Sequence, residues 1–171
     1  MSDTAVEYWL RGPVENIPSL LQPVAHALLQ AKDEVTKVLQ DFPEEKLWEK
    51  PMNLASVGFH LQHLRGVLDR LFTYAKGQVL NTQQLEALSL EGKPYAGNNN
   101  MQELIVSFHQ QVDFSLEQLK NTSEKNLIAT REVGRAKLPS TVLGLLFHAA
   151  EHTMRHTGQL LVTVKVVTNM P

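Results

Sequence analysis

Imidazole is the chemistry that this sequence concentrates. Five of its seven histidines fall in two clusters: His60 and His63 are three residues apart, while His148, His152 and His156 follow at intervals of four. A neutral imidazole presents a nitrogen lone pair and is the commonest metal ligand near neutral pH. Residues four apart on a helix have Cβ atoms about 5–6 Å apart, so two rings can converge on one ion. Burying both rings without a shared partner would cost on the order of 1–3 kcal/mol for each unsatisfied group. The spacing therefore points to a divalent metal site. The chain has no cysteine, so any ion must be held by imidazole or oxygen, and disulfides and a cysteine nucleophile are excluded.

Helix geometry decides which of the three C-terminal histidines act together. A rise of about 1.5 Å per residue puts His148 roughly 12 Å from His156 along the axis, whereas two nitrogens sharing an ion lie about 3.5 Å apart. The pair is either His148 with His152 or His152 with His156. At about 100° per residue, Leu145, Ala149, His152, His156, Leu160 and Thr163 form one narrow stripe, with His148 roughly 60° from its middle. Such a stripe faces the core, which favours His152 with His156. An open three-histidine site needs one more ligand from another helix. On the earlier segment the stripe of Val57, Leu61, Leu64, Leu68 and Leu71 places His60 nearer the core than His63. Periodicity alone chooses His60. A helix in contact with two neighbours has a wide stripe, so His63, near Val67 and Tyr74, stays open as the alternative.

The other polar residues read more plainly. His26 and His109 stand singly, and a lone helical histidine is usually solvated or hydrogen-bonded. Glu151 sits about 100° around the helix from His152, and Asp69 and Asp113 read as solvated helix-face charges. His60 and His148 are the nearest candidates for proton transfer or for supporting the ligands. No catalytic residue beyond the ligands stands out.

These side chains must be positioned by helices. Apolar residues recur at helical spacing over residues 17–42, 57–76, 100–119 and from 140 to at least 164, with Ser56, Asn100 and Ser140 as N-caps. Residues 91–100, rich in Gly, Pro and Asn, read as loop. Residues 121–139 read as a second long connection with a short extended piece at 130–133. The β-branched run over 162–168 is expected to fray or turn extended. Four such stripes bury one another most economically in an all-α four-helix bundle with two long connecting loops.

Composition bounds the rest. A chain of 171 residues, 43% hydrophobic and 20% charged, suits a single domain spanning 1–171 with one core. The net charge of −2 has no basic cluster behind it, so nucleic acid is not an expected ligand. Residues 1–11 lack a basic start followed by an apolar run, and no run of about 20 apolar residues could span a bilayer. A cytoplasmic address, with no membrane partner, is the expectation.

Two stretches carry a family likeness. Ser56-Val-Gly-Phe-His-Leu-Gln-His63 resembles the second-helix pattern of the DinB superfamily, metal-binding four-helix bundles that include YfiT-like proteins. Glu151-His-Thr-Met-Arg-His-Thr-Gly-Gln159 resembles the last-helix pattern of the same family. Helix lengths and spacing agree over nearly the whole chain. The resemblance implies metal ligands at His63, His152 and His156, choosing His63 over His60 on the second helix and keeping His60 in reserve. It places Gln159 one turn beyond the ligands, within reach of the site. The family's fold often continues past this helix, whereas the chain stops at Pro171, which bears on the pocket mouth.

Three imidazoles leave at least one coordination position open, the pattern of a catalytic site. A bound Zn²⁺, Ni²⁺ or similar ion could lower the pKa of a water or thiol. The resemblance implies thiol-dependent transferases and hydrolase-like enzymes. The leading expectation is a metal-dependent transferase or hydrolase that activates a water or a low-molecular-weight thiol toward a small-molecule substrate. The alternative is a non-catalytic, metal-stabilised helical module for binding or stress response. Homodimerisation through a helix face is compatible with either.

Overall fold

The apolar stripes become four long helices, seen in a computed structural model that describes residues 6–97 and 99–170. The expectations for residues 1–5 and for residue 171 lie outside the described residues. In chain order come α1 (Gln22–Val38), α2 (Val57–Ala75), the short α3 (Thr82–Leu90), α4 (Met101–Lys120), strands β1 (Thr130–Val133) and β2 (Leu138–Thr141), and α5 (Val142–Thr168). The protein is mostly helical with one small two-stranded sheet. Each of α1 and α2 packs against both α4 and α5. The consecutive long helices α1 and α2 are therefore separated by the other pair. Leu28, Leu61, Leu64, Leu68, Phe108, Leu146 and Leu160 are fully buried between them. Truncating any of these leucines to alanine should cost about 2–5 kcal/mol.

Local chemistry sets the boundaries. Pro23 lacks an N–H and fits only the first turn of a helix, so α1 begins at Gln22 rather than at residue 17. The residues before it form a 3-10 turn, Ser19–Leu21. Ser56 caps α2 by accepting from the Phe59 N–H, and Asn100 caps α4 by accepting from the Glu103 N–H. The cap of α5 is Thr141 rather than Ser140: Thr141, the last residue of β2, turns its Oγ1 to accept from the Gly144 N–H at 3.0 Å. The antiparallel β1–β2 hairpin is the extended piece expected at 130–133, now with a partner strand. Arg131 pins it to the end of α2 through a 2.8 Å bond from Nε to the Ala75 carbonyl.

Two expectations are corrected. The connection between α2 and α4 is not all loop. Asn81 and Gln84 form a reciprocal capping box that starts α3, although its Leu85 and Leu88 stay exposed. The β-branched tail of α5 stays helical to Thr168, since Thr163, Val164 and Val167 are buried and packing outweighs propensity. Among the described residues no helix is long and apolar enough to cross a membrane.

Candidate metal centre

The packing of α2 on α5 brings the two histidine clusters together. One ligand nitrogen each from His63, His152 and His156 lies within 4.8 Å of the others. The Nε2 atoms of His63 and His152 are 3.0 Å apart. The His63 ring centroid stands 4.3 Å from that of His156, and His152 and His156 are 4.6 Å apart by the same measure. Leu145, Ala149, Leu160 and Thr163 of the same α5 stripe are buried, whereas the two histidines are half-buried at its edge.

His60 lies deeper, only 3% exposed, as periodicity requires. It is not part of the triad. Its Nδ1 is 3.4 Å from Nδ1 of His156, and its Nε2 is 3.5 Å from Oγ1 of Thr163. It therefore stands behind His156 and leaves the other nitrogen of that ring uncommitted. His148 is exposed on α5, and Gln159 is exposed with no side-chain role at the cluster. His26 and His109 lie elsewhere, each hydrogen-bonded: His26 with the Gly12 carbonyl and His109 with Thr36.

The residue that sequence reading missed is Glu91, the first after α3. Its Oε2 accepts from Nδ1 of His63 at 2.7 Å, and its Oε1 accepts from Arg70 at 2.5 Å. Burial alone pushes the Glu91 carboxyl up, but the hydrogen bonds from His63 and Arg70 and the Arg70 charge hold it below the usual carboxylate range. A carboxylate on Nδ1 fixes the His63 tautomer with Nε2 bare, the arrangement typical of metal-ligating histidines. The carboxylate lies against the α2 backbone at Gly66, where a Cβ would collide with both Glu91 and Arg70. Gln62 clamps the same loop, accepting from the Gly92 N–H at 2.7 Å and donating to the Lys93 carbonyl at 2.8 Å. Phe59 stacks on the His63 ring at 5.3 Å and an interplanar angle of 10°, covering one face.

A signal for Glu91 was present. A glycine inside an otherwise apolar-periodic helix costs about 1 kcal/mol against alanine and usually marks a close approach. Gly66 lies between His63 and Arg70 on α2.

Electrostatics keep the rings ready for a cation. His152 is held down at about 4, by burial first and then by His156 and His63. His156 is lowered as well, by burial and then by His63 and Arg155. His60 is likewise held at about 4, by burial and then by His156 and His63. At neutral pH these rings are neutral and their lone pairs free.

The residues present fit a divalent ion. Two nitrogens bound to one ion at about 2.1 Å lie about 3.5 Å apart at tetrahedral angles, close to the spacing found here. Nδ1 of His152 is buried with no hydrogen-bond partner. Such an atom costs about 1–3 kcal/mol unless something binds it. Surface grooves occur away from the cluster, for instance between α2 and α4, where Arg65, Asp69, Phe72 and Phe114 form the lining.

No curated protein matches the sequence. A family model described as the DinB superfamily matches residues 27–160, a span that includes His63, Glu91, His152 and His156. Fold, site and family match agree: the chain belongs to the DinB superfamily.

Proposed function

We propose that His63, His152 and His156 hold one divalent transition-metal ion, and that the protein is a metal-dependent enzyme acting on a small molecule. The observation that carries this reading is the orientation of His63. Its Nδ1 hydrogen is committed to Glu91, and its bare Nε2 faces His152 at 3.0 Å. In this reading the four long helices form a four-helix bundle, with the ion bridging α2 and α5 at its rim. Zn²⁺ and Ni²⁺ suit a set of three imidazoles.

A bound ion of this kind would act as a Lewis acid, lowering the pKa of a water or small thiol at an open coordination position. The chain's own residues supply the rest. Glu91 and Arg70 orient His63, and burial keeps His152 and His156 unprotonated. Phe59 keeps water off one face of the His63 ring. Both Glu91 oxygens are already committed, so Glu91 is a positioning residue and not a general base. The cluster sits at the edge of the α2–α5 contact, with His63, His152 and His156 half-buried.

The test is a panel of thiol-transfer and hydrolysis assays on the untagged protein. It pairs several low-molecular-weight thiols with a reactive electrophile in the presence of Zn²⁺, Ni²⁺, Co²⁺ or Mn²⁺. The reading expects turnover that needs the ion and is lost in His63→Ala. Activity indifferent to a chelator and to that substitution would overturn it.

A further inference from the structure

The triad does not use up the imidazoles of α5. His148, Glu151 and His152 form a second group whose ligand atoms lie within 4.8 Å of one another. Nδ1 of His148 is 3.5 Å from Oε2 of Glu151, and the two side chains are 51% and 34% exposed. Arg155 pairs with the other carboxylate oxygen, Oε1, and so holds Glu151 with Oε2 turned toward His148. The ring of His148 is 5.2 Å from that of His152, which is 4.6 Å from that of His156. The imidazoles thus form a ladder along α5, from an exposed rung to the half-buried pair.

We infer that His148, Glu151 and His152 form an outer divalent-metal site, which captures an ion from solvent and passes it inward through the shared His152. The inference rests on the reading of His63, His152 and His156 as the resting site. Two imidazoles and a carboxylate at positions i, i+3 and i+4 of one helix make a ligand set that borderline transition ions accept. Exposure and the neighbouring Arg155 charge weaken the hold, which suits an ion that must leave again. Because both sets need His152, they are filled in turn and not together. An ion already docked beside the inner rings meets them at a far higher local concentration than one in bulk solvent.

Co²⁺ uptake by the metal-free, full-length, untagged protein tests this, followed by visible absorbance in a stopped-flow instrument. The His148→Ala variant should reach the same final absorbance and the same affinity in chelator competition as the wild type, but severalfold more slowly. His148 is exposed, so the substitution does not threaten folding, and circular dichroism verifies that. The His63→Ala variant should still take up a weakly held Co²⁺ that disappears when His148→Ala is added. Equal uptake rates with and without His148 would overturn the inference, as would Co²⁺ binding in His63→Ala that ignores His148. A wild-type protein that takes up no tightly held Co²⁺ would instead remove the inner-site reading on which the transit step depends.

Discussion

Glu91 and His63, 28 residues apart in sequence, share a 2.7 Å hydrogen bond that decides how the His63 ring is turned. The ring projects from α2, and the carboxylate is delivered by the loop that follows α3. Arg70, two turns along α2, holds the second carboxylate oxygen, so helix and loop are locked through one acid. The three side chains are only 11–17% exposed, which makes the lock stiffer than a surface ion pair. The bond leaves Nε2 of His63 facing His152.

Glu91→Gln should weaken metal affinity by about 10- to 100-fold, the scale for losing a carboxylate behind a ligating histidine. The amide can still accept from Arg70, so the fold should survive. Glu91→Ala should do more, costing about 3 kcal/mol or more of stability by leaving a largely buried Arg70 unpaired. Chelator competition and urea denaturation read the two effects separately. Unchanged affinity in Glu91→Gln would show that the carboxylate has no part in orienting His63.

Gly66→Ala should lower metal affinity although alanine is the better helix former by about 1 kcal/mol. The added Cβ displaces Glu91 and Arg70 together. Gly58→Ala is the control, since its Cβ would meet the Trp48 ring instead. That variant should lose stability without a selective loss of metal. Equal effects of the two substitutions on metal affinity would contradict the role given to Gly66.

The four long helices, the inward stripe of α5 and the pairing of His152 with His156 were legible because helical period reports burial. The same logic chose His60 on α2, and His60 is indeed the more buried. The ring that meets α5's pair is nonetheless His63, at the edge of the stripe and near solvent. Period finds the core, whereas a site that must exchange ligands lies at its rim. Only the family resemblance selected His63. Glu91 and α3 were missed for a different reason. Glu91 reaches His63 through tertiary packing of a connection whose composition reads as loop, and Asn81–Gln84 starts a helix that has no buried stripe.

The metal-free protein should lose stability as pH falls. His60 and His152 are both held at about 4 against an ordinary 6.5, by burial first and neighbouring imidazoles second. Between those values the unfolded chain binds more protons than the folded one, so stability rises with pH across the window. It is lost as pH drops from about 6.5 toward 4, and protons compete with any cation for the same lone pairs. The urea midpoint, measured from about pH 7.5 to 4.5, should therefore decline. His60→Gln should make the decline shallower. A flat profile in the wild type would show that these rings are not held neutral by the fold.

His26→Ala and His109→Ala should leave metal content unaltered. Each of these rings has a local partner, the Gly12 carbonyl for His26 and Thr36 for His109. Loss of metal in either variant would mean that the cluster extends beyond α2 and α5.

The most direct measurement is metal content by elemental analysis of the untagged protein, after loading with Zn²⁺ or Ni²⁺ and gel filtration to strip weakly held ions. One ion per chain should remain in the wild type and in His148→Ala, and should be absent from His63→Ala, His152→Ala and His156→Ala. Retention of the ion in His152→Ala, or a wild type that holds none, would contradict a shared cation between α2 and α5.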